Sequence, residues 1–316
     1  MLSIVVPCYN EEESIPLFLE TVEVISQRIN QKIEYILVND GSKDQTLAVL
    51  KTMHAKYPEK VRYLSFSRNF GKEAALYAGL QHAKGDLVTV MDADLQDPPE
   101  LLPEMIQLLE RKNLDCVGTR RQDREGEPPI RSFFAKGFYR LINRIGDTEM
   151  VDGARDFRLM TRQMVDAILE LSEVNRFSKG LFSWVGFETE YLSFENRERV
   201  AGETSWSFWS LFKYSLDGII NFSDAPLNIA SIVGALSCIG SVIAMGFIIV
   251  RALLFGDPTD GWPSLVSIVL FVGGIQLLCL GIIGKYIGKI FLETKKRPVY
   301  IIKETEKTIK EAPTDL

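Results

Sequence analysis

The chain is short of the residues that build metal centres and disulfide frameworks. It has four cysteines, Cys8, Cys116, Cys238 and Cys279, far apart in sequence, and two histidines, His54 and His82, in helix-like stretches. Scattered thiols, two of them inside apolar runs, suit neither a disulfide scaffold nor a zinc site and read as small buried hydrophobes in a reducing compartment. Two isolated histidines argue against a His-based metal site or a catalytic triad. Positive charge is also scarce: Lys+Arg total 36 against Asp+Glu 42, a formal charge of -6 with a pI near 5.3. That balance excludes a general nucleic-acid-binding surface. No basic and then apolar leader precedes Ser3-Ile-Val-Val-Pro7, which predicts no cleavable signal and an N-terminal part that stays in the cytosol. The first strand is followed by Cys8-Tyr-Asn-Glu-Glu-Glu-Ser14 rather than G-x-G-x-x-G, which weighs against a nicotinamide or flavin dinucleotide site.

What is present is a chain of 316 residues, 46% hydrophobic and 25% charged, room for one large domain or two modest ones and no bulk disorder. Up to about residue 120, short β-branched runs alternate with longer periodic segments. Strands are expected at Ser3–Pro7, Tyr35–Asn39, Val61–Phe66, Leu87–Met91 and Cys116–Gly118, with helices near 13–28, 44–56, 72–83 and 99–112. This βαβα order predicts an α/β, Rossmann-like, mainly parallel sheet with helices on both faces, and ligands beyond the carboxyl ends of the strands.

The last third is far more apolar. Leu227–Val250 and Trp262–Gly284 run for 24 and 23 residues without a formal charge, each long enough to cross a hydrocarbon core of roughly 30 Å. The short link Arg251–Gly261 carries Asp257 and Asp260, whereas Lys285, Lys289, Lys295, Lys296 and Arg297 follow the second run. Lys and Arg gather on cytosolic flanks, so both termini are expected inside and the link outside. Two amphipathic stretches fit interfacial helices or ordinary core helices: 130–145, with Arg131, Lys136, Arg140 and Arg144 on its cationic side, and the aromatic-rich 205–224. The expected domains are therefore a cytosolic unit at 1–204, a juxtamembrane helix at 205–224, a two-helix transmembrane hairpin at 225–292 and a cytosolic charged tail at 293–316, disordered beyond Glu304. Gly234, Gly240, Gly273, Gly274, Gly281, Gly284 and Gly288 permit close helix contact and fit a homo-oligomer.

Polar and acidic groups follow each predicted strand. Asp92 and Asp94, one residue apart, can aim two carboxylates at one hard cation, Mg²⁺ or Mn²⁺, that takes its other ligands from water and substrate phosphates. Such pairs also close turns and cap helices. Asp40, with Pro7, Tyr9 and Glu11, has the make-up of a cradle for a nucleobase and ribose. An Asx turn at Asp40-Gly41 and helix-start charges at Glu11 to Glu13 account for the same residues structurally.

The ordered set Ile-Val-Val-Pro7-Cys-Tyr-Asn-Glu-Glu, Val-Asn-Asp40-Gly-Ser, Arg68-Asn-Phe-Gly-Lys72 and Met-Asp92-Ala-Asp94-Leu-Gln96-Asp-Pro-Pro resembles the family 2 glycosyltransferases of GT-A fold. With Val117-Gly-Thr-Arg120, Asp156-Phe-Arg-Leu159, Ala201-Gly-Glu-Thr204 and the two apolar runs, the chain is similar over nearly its whole length to the polyisoprenyl-phosphate glycosyltransferases. That group contains dolichyl-phosphate mannose synthase and bacterial undecaprenyl-phosphate glucosyl- and N-acetylglucosaminyltransferases. The resemblance implies that Pro7, Tyr9, Glu11, Asp40, Lys72 and Asp92 hold the nucleotide, and that Asp92, Asp94 and Gln96 bind the metal and diphosphate. It puts Arg120, Arg131 and Ser132 on the acceptor phosphate, Asp156 at the reacting centre as the candidate base, with Asp94 also catalytic, and Lys179 and Trp184 on the sugar side. The pattern departs at Ser205-Trp206, where many relatives carry a basic residue and then an aromatic.

The implied reaction is inverting transfer of a monosaccharide from a nucleotide sugar to a polyprenyl phosphate such as undecaprenyl phosphate, at the cytoplasmic membrane, for cell-envelope glycan modification. UDP-glucose and UDP-N-acetylglucosamine lead as donors, ahead of GDP-mannose. A processive polysaccharide synthase and a non-catalytic scaffold of lipid-sugar machinery are the competing readings. The first lacks a Gln-x-x-Arg-Trp motif here, and the second does not account for Asp92, Asp94 and Asp156 together.

Overall fold

A computed structural model describes residues 1–122, 140, 143–144, 151–195, 218–255 and 261–308. Arg131, Ser132, most of the 130–145 stretch, Ala201–Thr204 and Ser205-Trp206 lie outside them. The strands β1 (Leu2–Cys8), β2 (Ile33–Asn39), β3 (Val61–Phe66) and β4 (Leu87–Val90) are connected through α1 (Ser14–Ser26), α2 (Thr46–Lys56) and α3 (Lys72–His82). A 3-10 turn at Pro99–Leu101 leads into α4 (Leu102–Lys112), then β5 (Cys116–Arg121), β6 (Ala154–Thr161), α5 (Arg162–Glu170), α6 (Ser178–Trp184) and β7 (Thr189–Phe194). Two long helices, α7 (Ala225–Phe255) and α8 (Trp262–Thr294), precede β8 (Ile302–Thr305).

The described strands form one eight-stranded sheet in the order β7-β5-β6-β4-β1-β2-β3-β8. Pairs β1–β2, β1–β4, β2–β3 and β5–β7 are parallel, whereas β6 runs antiparallel to both β4 and β5, and β8 antiparallel to β3. The central strands read as continuous apolar runs because both faces are covered. Alternation along each strand sorts them. Ile4 and Val6 of β1 join Tyr35 and Leu37 of β2 in the core under α1 and α4, while Val5, Ile36 and Val38 join the core under α3 and α5. Helix boundaries follow local chemistry: Pro103 sits in the first turn of α4 and Asn113, left-handed at φ 52, ends it. Thr161 caps α5 by accepting from the Met164 N–H.

Three strands go beyond the sequence reading. β6 carries Arg155, Asp156 and Arg158 and lacks an apolar run, and β7 is a half-exposed edge. The third is β8, which lies in the charged tail and includes Glu304 and Thr305, so order continues past the residue where disorder was expected. Tyr300 stacks on Phe66 with ring centroids 4.9 Å apart and donates to Gln81 Oε1 at 2.7 Å. Lys51 pairs with Glu304 at 2.6 Å and Arg62 with Glu306 at 3.3 Å. The tail thus closes the β3 edge, which as an open strand would invite pairing with other chains.

The stretches Ala225–Phe247 and Phe271–Thr294 are long and apolar enough to cross a membrane. Side chains such as Phe271 and Leu277 are 69% and 72% exposed, an apolar surface unlike that of a soluble monomer. Cys238 on α7 is exposed and Cys279 half-buried, so only Cys8 and Cys116 are the buried hydrophobes expected of all four.

Replacing Tyr300 with Ala removes the aromatic that fastens the returning tail. Thermal unfolding of the detergent-solubilised chain is expected to shift down by roughly 4–8 °C, from a loss of about 2 kcal/mol. Tyr300→Phe, which keeps the stack, should stay within about 2 °C of wild type.

Candidate active site

The carboxyl ends of β1, β2 and β4 adjoin, and the polar residues that follow them share one rim of the sheet. The last β4–β6 pair is Val90 with Arg158. Continuing that antiparallel register sets Asp92 level with Asp156, two carboxylates facing each other across adjacent strands. A cation separates them: the Lys72 ammonium, from the first turn of α3, lies 2.8 Å from Asp92 Oδ1 and 2.7 Å from Asp156 Oδ2. Burial acts to raise the Asp156 pKa, but Lys72 first and Lys179 next outweigh it and hold the carboxyl well below the usual range. Burial acts to lower Lys72, and Asp156 and Asp92 override that, keeping it charged.

Asp94 is 4% exposed, and its Oδ1 accepts from the Gln96 N–H at 3.1 Å across Leu95, which sits at φ 55. The turn-closing reading of the pair is therefore correct for one oxygen, and it fixes the direction of the carboxylate. The third acid of the run, Asp97, is committed elsewhere: its Oδ1 takes the Arg155 Nε–H at 2.7 Å with the Asp97 side chain 1% exposed. Burial pushes the Asp97 carboxyl up, and the Arg155 guanidinium opposes that push. This pair ties the Asp92–Asp97 loop to the residue before Asp156.

Asp40, 3% exposed, accepts from the backbone N–H groups of Phe70 and Gly71 at 2.6 and 2.9 Å. Burial raises its pKa, and those two bonds and Arg68 oppose the rise. Its observed work is to hold the 68–71 loop that delivers Lys72. The Asx-type turn belongs to Asn39, whose Oδ1 accepts from Ser42 N–H at 3.0 Å. Gly41, at φ +63, has the Arg68 backbone 2.3 Å from where a Cβ would stand, so the two loops touch only because it is glycine.

Pro7, Tyr9 and Glu11 lie at the end of β1 and just beyond it. Tyr9 is 36% exposed, and the Glu11 N–H donates to Thr46 Oγ1 at 2.9 Å. Arg120, on the β5 end, bonds Ser193 Oγ of β7 at 3.0 Å. Lys179 opens α6 close enough to act on Asp156, while Trp184 ends that helix exposed. The structure thus brings Lys72, Asp92, Asp156 and Lys179 into one neighbourhood, with Asp94 two residues beyond Asp92 in the same loop. Arg131 and Ser132 lie outside the described residues. Two pairings had no sequence signal, Asp97 with Arg155 and Glu73 with Ser178, the latter donating both N–H and Oγ–H.

Among the described residues no group of three or more His, Cys, Asp and Glu side chains is assembled to hold a metal alone. Two carboxylates fit a hard divalent cation that completes its shell with water and substrate oxygens. In the structure the charge on Asp92 and Asp156 is met by the Lys72 ammonium.

Residues 3–169 match the family Glycosyl transferase family 2. A putative glycosyltransferase CsbB of Bacillus subtilis (strain 168) is 44% identical over 313 residues, 99% of this chain and 94% of the relative. The prophage bactoprenol glucosyl transferase homolog of Escherichia coli (strain K12) is 41% identical over 306 residues, 97% of this chain and 99% of the relative. The bactoprenol glucosyl transferase of Shigella phage SfV is 42% identical, covering 96% and 98%. Among solved structures, mannosyl-3-phosphoglycerate synthase from Rubrobacter xylanophilus superposes with a TM-score of 0.47 at 18% identity, over 69% of this chain and 71% of the other.

Removing one partner of a buried pair strands the other. Asp97→Leu is expected to cost about 3 kcal/mol in the unfolding of the full chain. Adding Arg155→Met should restore most of that loss; a double variant no more stable than the single would show that the pair is not what joins the loop to β6.

Proposed function

Because the chain belongs to glycosyl transferase family 2, we propose that it transfers glucose from UDP-glucose to a polyprenyl phosphate such as undecaprenyl phosphate, with inversion. The observation that carries this reading is the extent of the likeness. Relatives named bactoprenol glucosyl transferase match 96–97% of the chain at 41–42% identity, the apolar helices included. That favours glucose over N-acetylglucosamine or mannose. Two long apolar helices among the described residues are few for the channel of a processive synthase.

In this reading Asp92 and Asp94 hold Mg²⁺ or Mn²⁺ on the donor diphosphate, with Gln96 beside them. The metal, when bound, supplies Lewis-acid charge to the departing UDP. Lys72 keeps its bond to Asp156 and offers its remaining N–H donors to the donor phosphates. Tyr9, Pro7, Glu11 and the Asp40-braced loop wall the nucleotide, and Lys179 and Trp184 lie on the sugar side. The lipid phosphate oxygen forms the new bond to the anomeric carbon as the bond to UDP breaks. A phosphate monoester has its second pKa near 6 and is largely dianionic at neutral pH, so little proton removal is needed. Asp156, held ionised by Lys72, is a weak base, and its part is to orient Lys72 and Lys179. Arg120, Arg131 and Ser132 are the proposed acceptor-phosphate contacts.

The hairpin account is proposed on the same footing: residues 1–204 on the cytosolic face, 205–224 at the interface, spans within 225–292 and the tail 293–316 returning inside. It is supported by β8, which follows the second long helix and pairs in the same sheet as β1, so the chain leaves and re-enters on one side. Such anchoring suits an acceptor whose tail stays in the bilayer. Self-association is left to measurement of mass in detergent.

Purified chain in lipid nanodiscs, given a divalent cation, undecaprenyl phosphate and labelled UDP-glucose, UDP-N-acetylglucosamine or GDP-mannose, is expected to move glucose into the lipid fraction. Asp94→Ala should lower the rate at least about 10²-fold. Transfer of mannose in preference to glucose, or a fully active Asp94→Ala chain, would overturn the reading. With Asp156 already ionised, kcat/KM for the acceptor should rise as pH passes about 6, where the lipid phosphate loses its second proton, and then level off.

A further inference from the structure

The last turn of α8 reaches back to the catalytic domain. Glu293 Oε1 accepts from the Val174 and Asn175 N–H groups at 3.1 and 3.0 Å and from Asn175 Nδ2 at 2.9 Å, and Oε2 accepts from Val174 N–H at 3.1 Å. Asn175 is also held from the entry to α7: its carbonyl accepts from Asn221 Nδ2 at 2.7 Å. Next to Asn221, Phe222 lies against Gly180 of α6, where a Cβ would come within 2.4 Å of the ring, and tilts over Phe177 at 6.0 Å. α8 also holds the lead-in to α7, Tyr286 Oη donating to the Ser223 carbonyl at 2.7 Å.

On its other side the same segment meets the candidate active site. Ser178 donates its N–H, at 2.9 Å, and its Oγ–H to Glu73, the neighbour of Lys72. Phe182 of α6 carries the Arg158 guanidinium 3.7 Å from its ring centroid, and Arg158 lies two residues from Asp156. Residues 174–184 are thus held between the ends of the membrane helices and the two elements that set Lys72 and Asp156.

From this we infer that Glu293 and Asn175 form a latch by which the hairpin positions the active site. The latch acts through 174–184 to fix Lys72 and Asp156 relative to the membrane, which rests on the transferase reading above. Glu293 acts through Val174 and Asn175 rather than on Lys72 directly, so it is a positioning residue. Its loss leaves the nucleotide wall at β1 and β2 in place and loosens the sugar side of the site, where Lys179 and Trp184 lie.

The test uses the full chain in nanodiscs, comparing wild type with Glu293→Ala, Asn175→Ala, the double variant and Glu293→Gln, which keeps an acceptor oxygen. In Glu293→Ala, amide exchange across 174–184 is expected to quicken by about tenfold, and kcat for lipid glucosylation to fall by a similar factor, while affinity for UMP, which reads only the nucleotide wall, stays within about twofold. Glu293→Gln should recover most of kcat, and the double variant should be no worse than either single. Unchanged exchange, faster exchange with unchanged kcat, or a parallel loss of UMP affinity would overturn the latch. Exchange is read without substrate, so a wild-type chain that fails to glucosylate lipid overturns the proposed function while the exchange result still decides the latch.

Discussion

Two ionised carboxylates facing each other on neighbouring strands repel unless a positive charge lies between them. In the structure that charge is the Lys72 ammonium, 2.8 Å from Asp92 and 2.7 Å from Asp156. In the proposed reaction a divalent cation would take the place of the ammonium on Asp92. The same constraint explains why Lys72 arrives on the first turn of α3, behind a loop whose backbone is gripped by the buried Asp40. Asp156 is correspondingly kept ionised, which suits a reaction whose nucleophile carries its own negative charge.

The rest of the catalytic domain serves to keep those three groups in register. The alternating faces of β1 and β2 lock the sheet between two helical layers, the Asp97–Arg155 pair binds the acidic loop to β6, and β8 closes the far edge. Because β8 follows the apolar helices, the sheet and the hairpin are one object rather than a globule with a trailing anchor. Glu293 and Asn175 make the junction polar and specific, where an apolar contact would permit sliding.

Much of this was legible in the sequence, and the omissions have a common cause. Strands β1 to β4 announced themselves as β-branched runs because they are buried on both faces. β6 did not, since Arg155, Asp156 and Arg158 break its apolar pattern: a strand that carries chemistry loses the signature of a strand. β7 and β8 are edges, where polar residues are tolerated. The Asp92–Asp94 pair was legible as two acids at a strand end, and only coordinates show Asp92 on the Lys72 ammonium and Asp97 turned to a partner 58 residues away. Asp40 stood out for the same reason as Asp92, an acid at a strand end, but its visible partners are backbone N–H groups. Of the expected domain boundaries, the apolar runs were plain from composition, whereas the polar knot joining them to 174–178 involves contacts across more than a hundred residues.

The exchange of cations at the rim is open to direct measurement: Mn²⁺ binding to the full chain in nanodiscs, followed by electron paramagnetic resonance with and without UDP-glucose, in wild type and Lys72→Met. The account predicts weak binding to wild type until the nucleotide sugar is added, and tighter nucleotide-free binding once the competing ammonium is gone. Equal Mn²⁺ affinity in the two chains, or binding that survives Asp92→Asn and Asp94→Asn together, would contradict it.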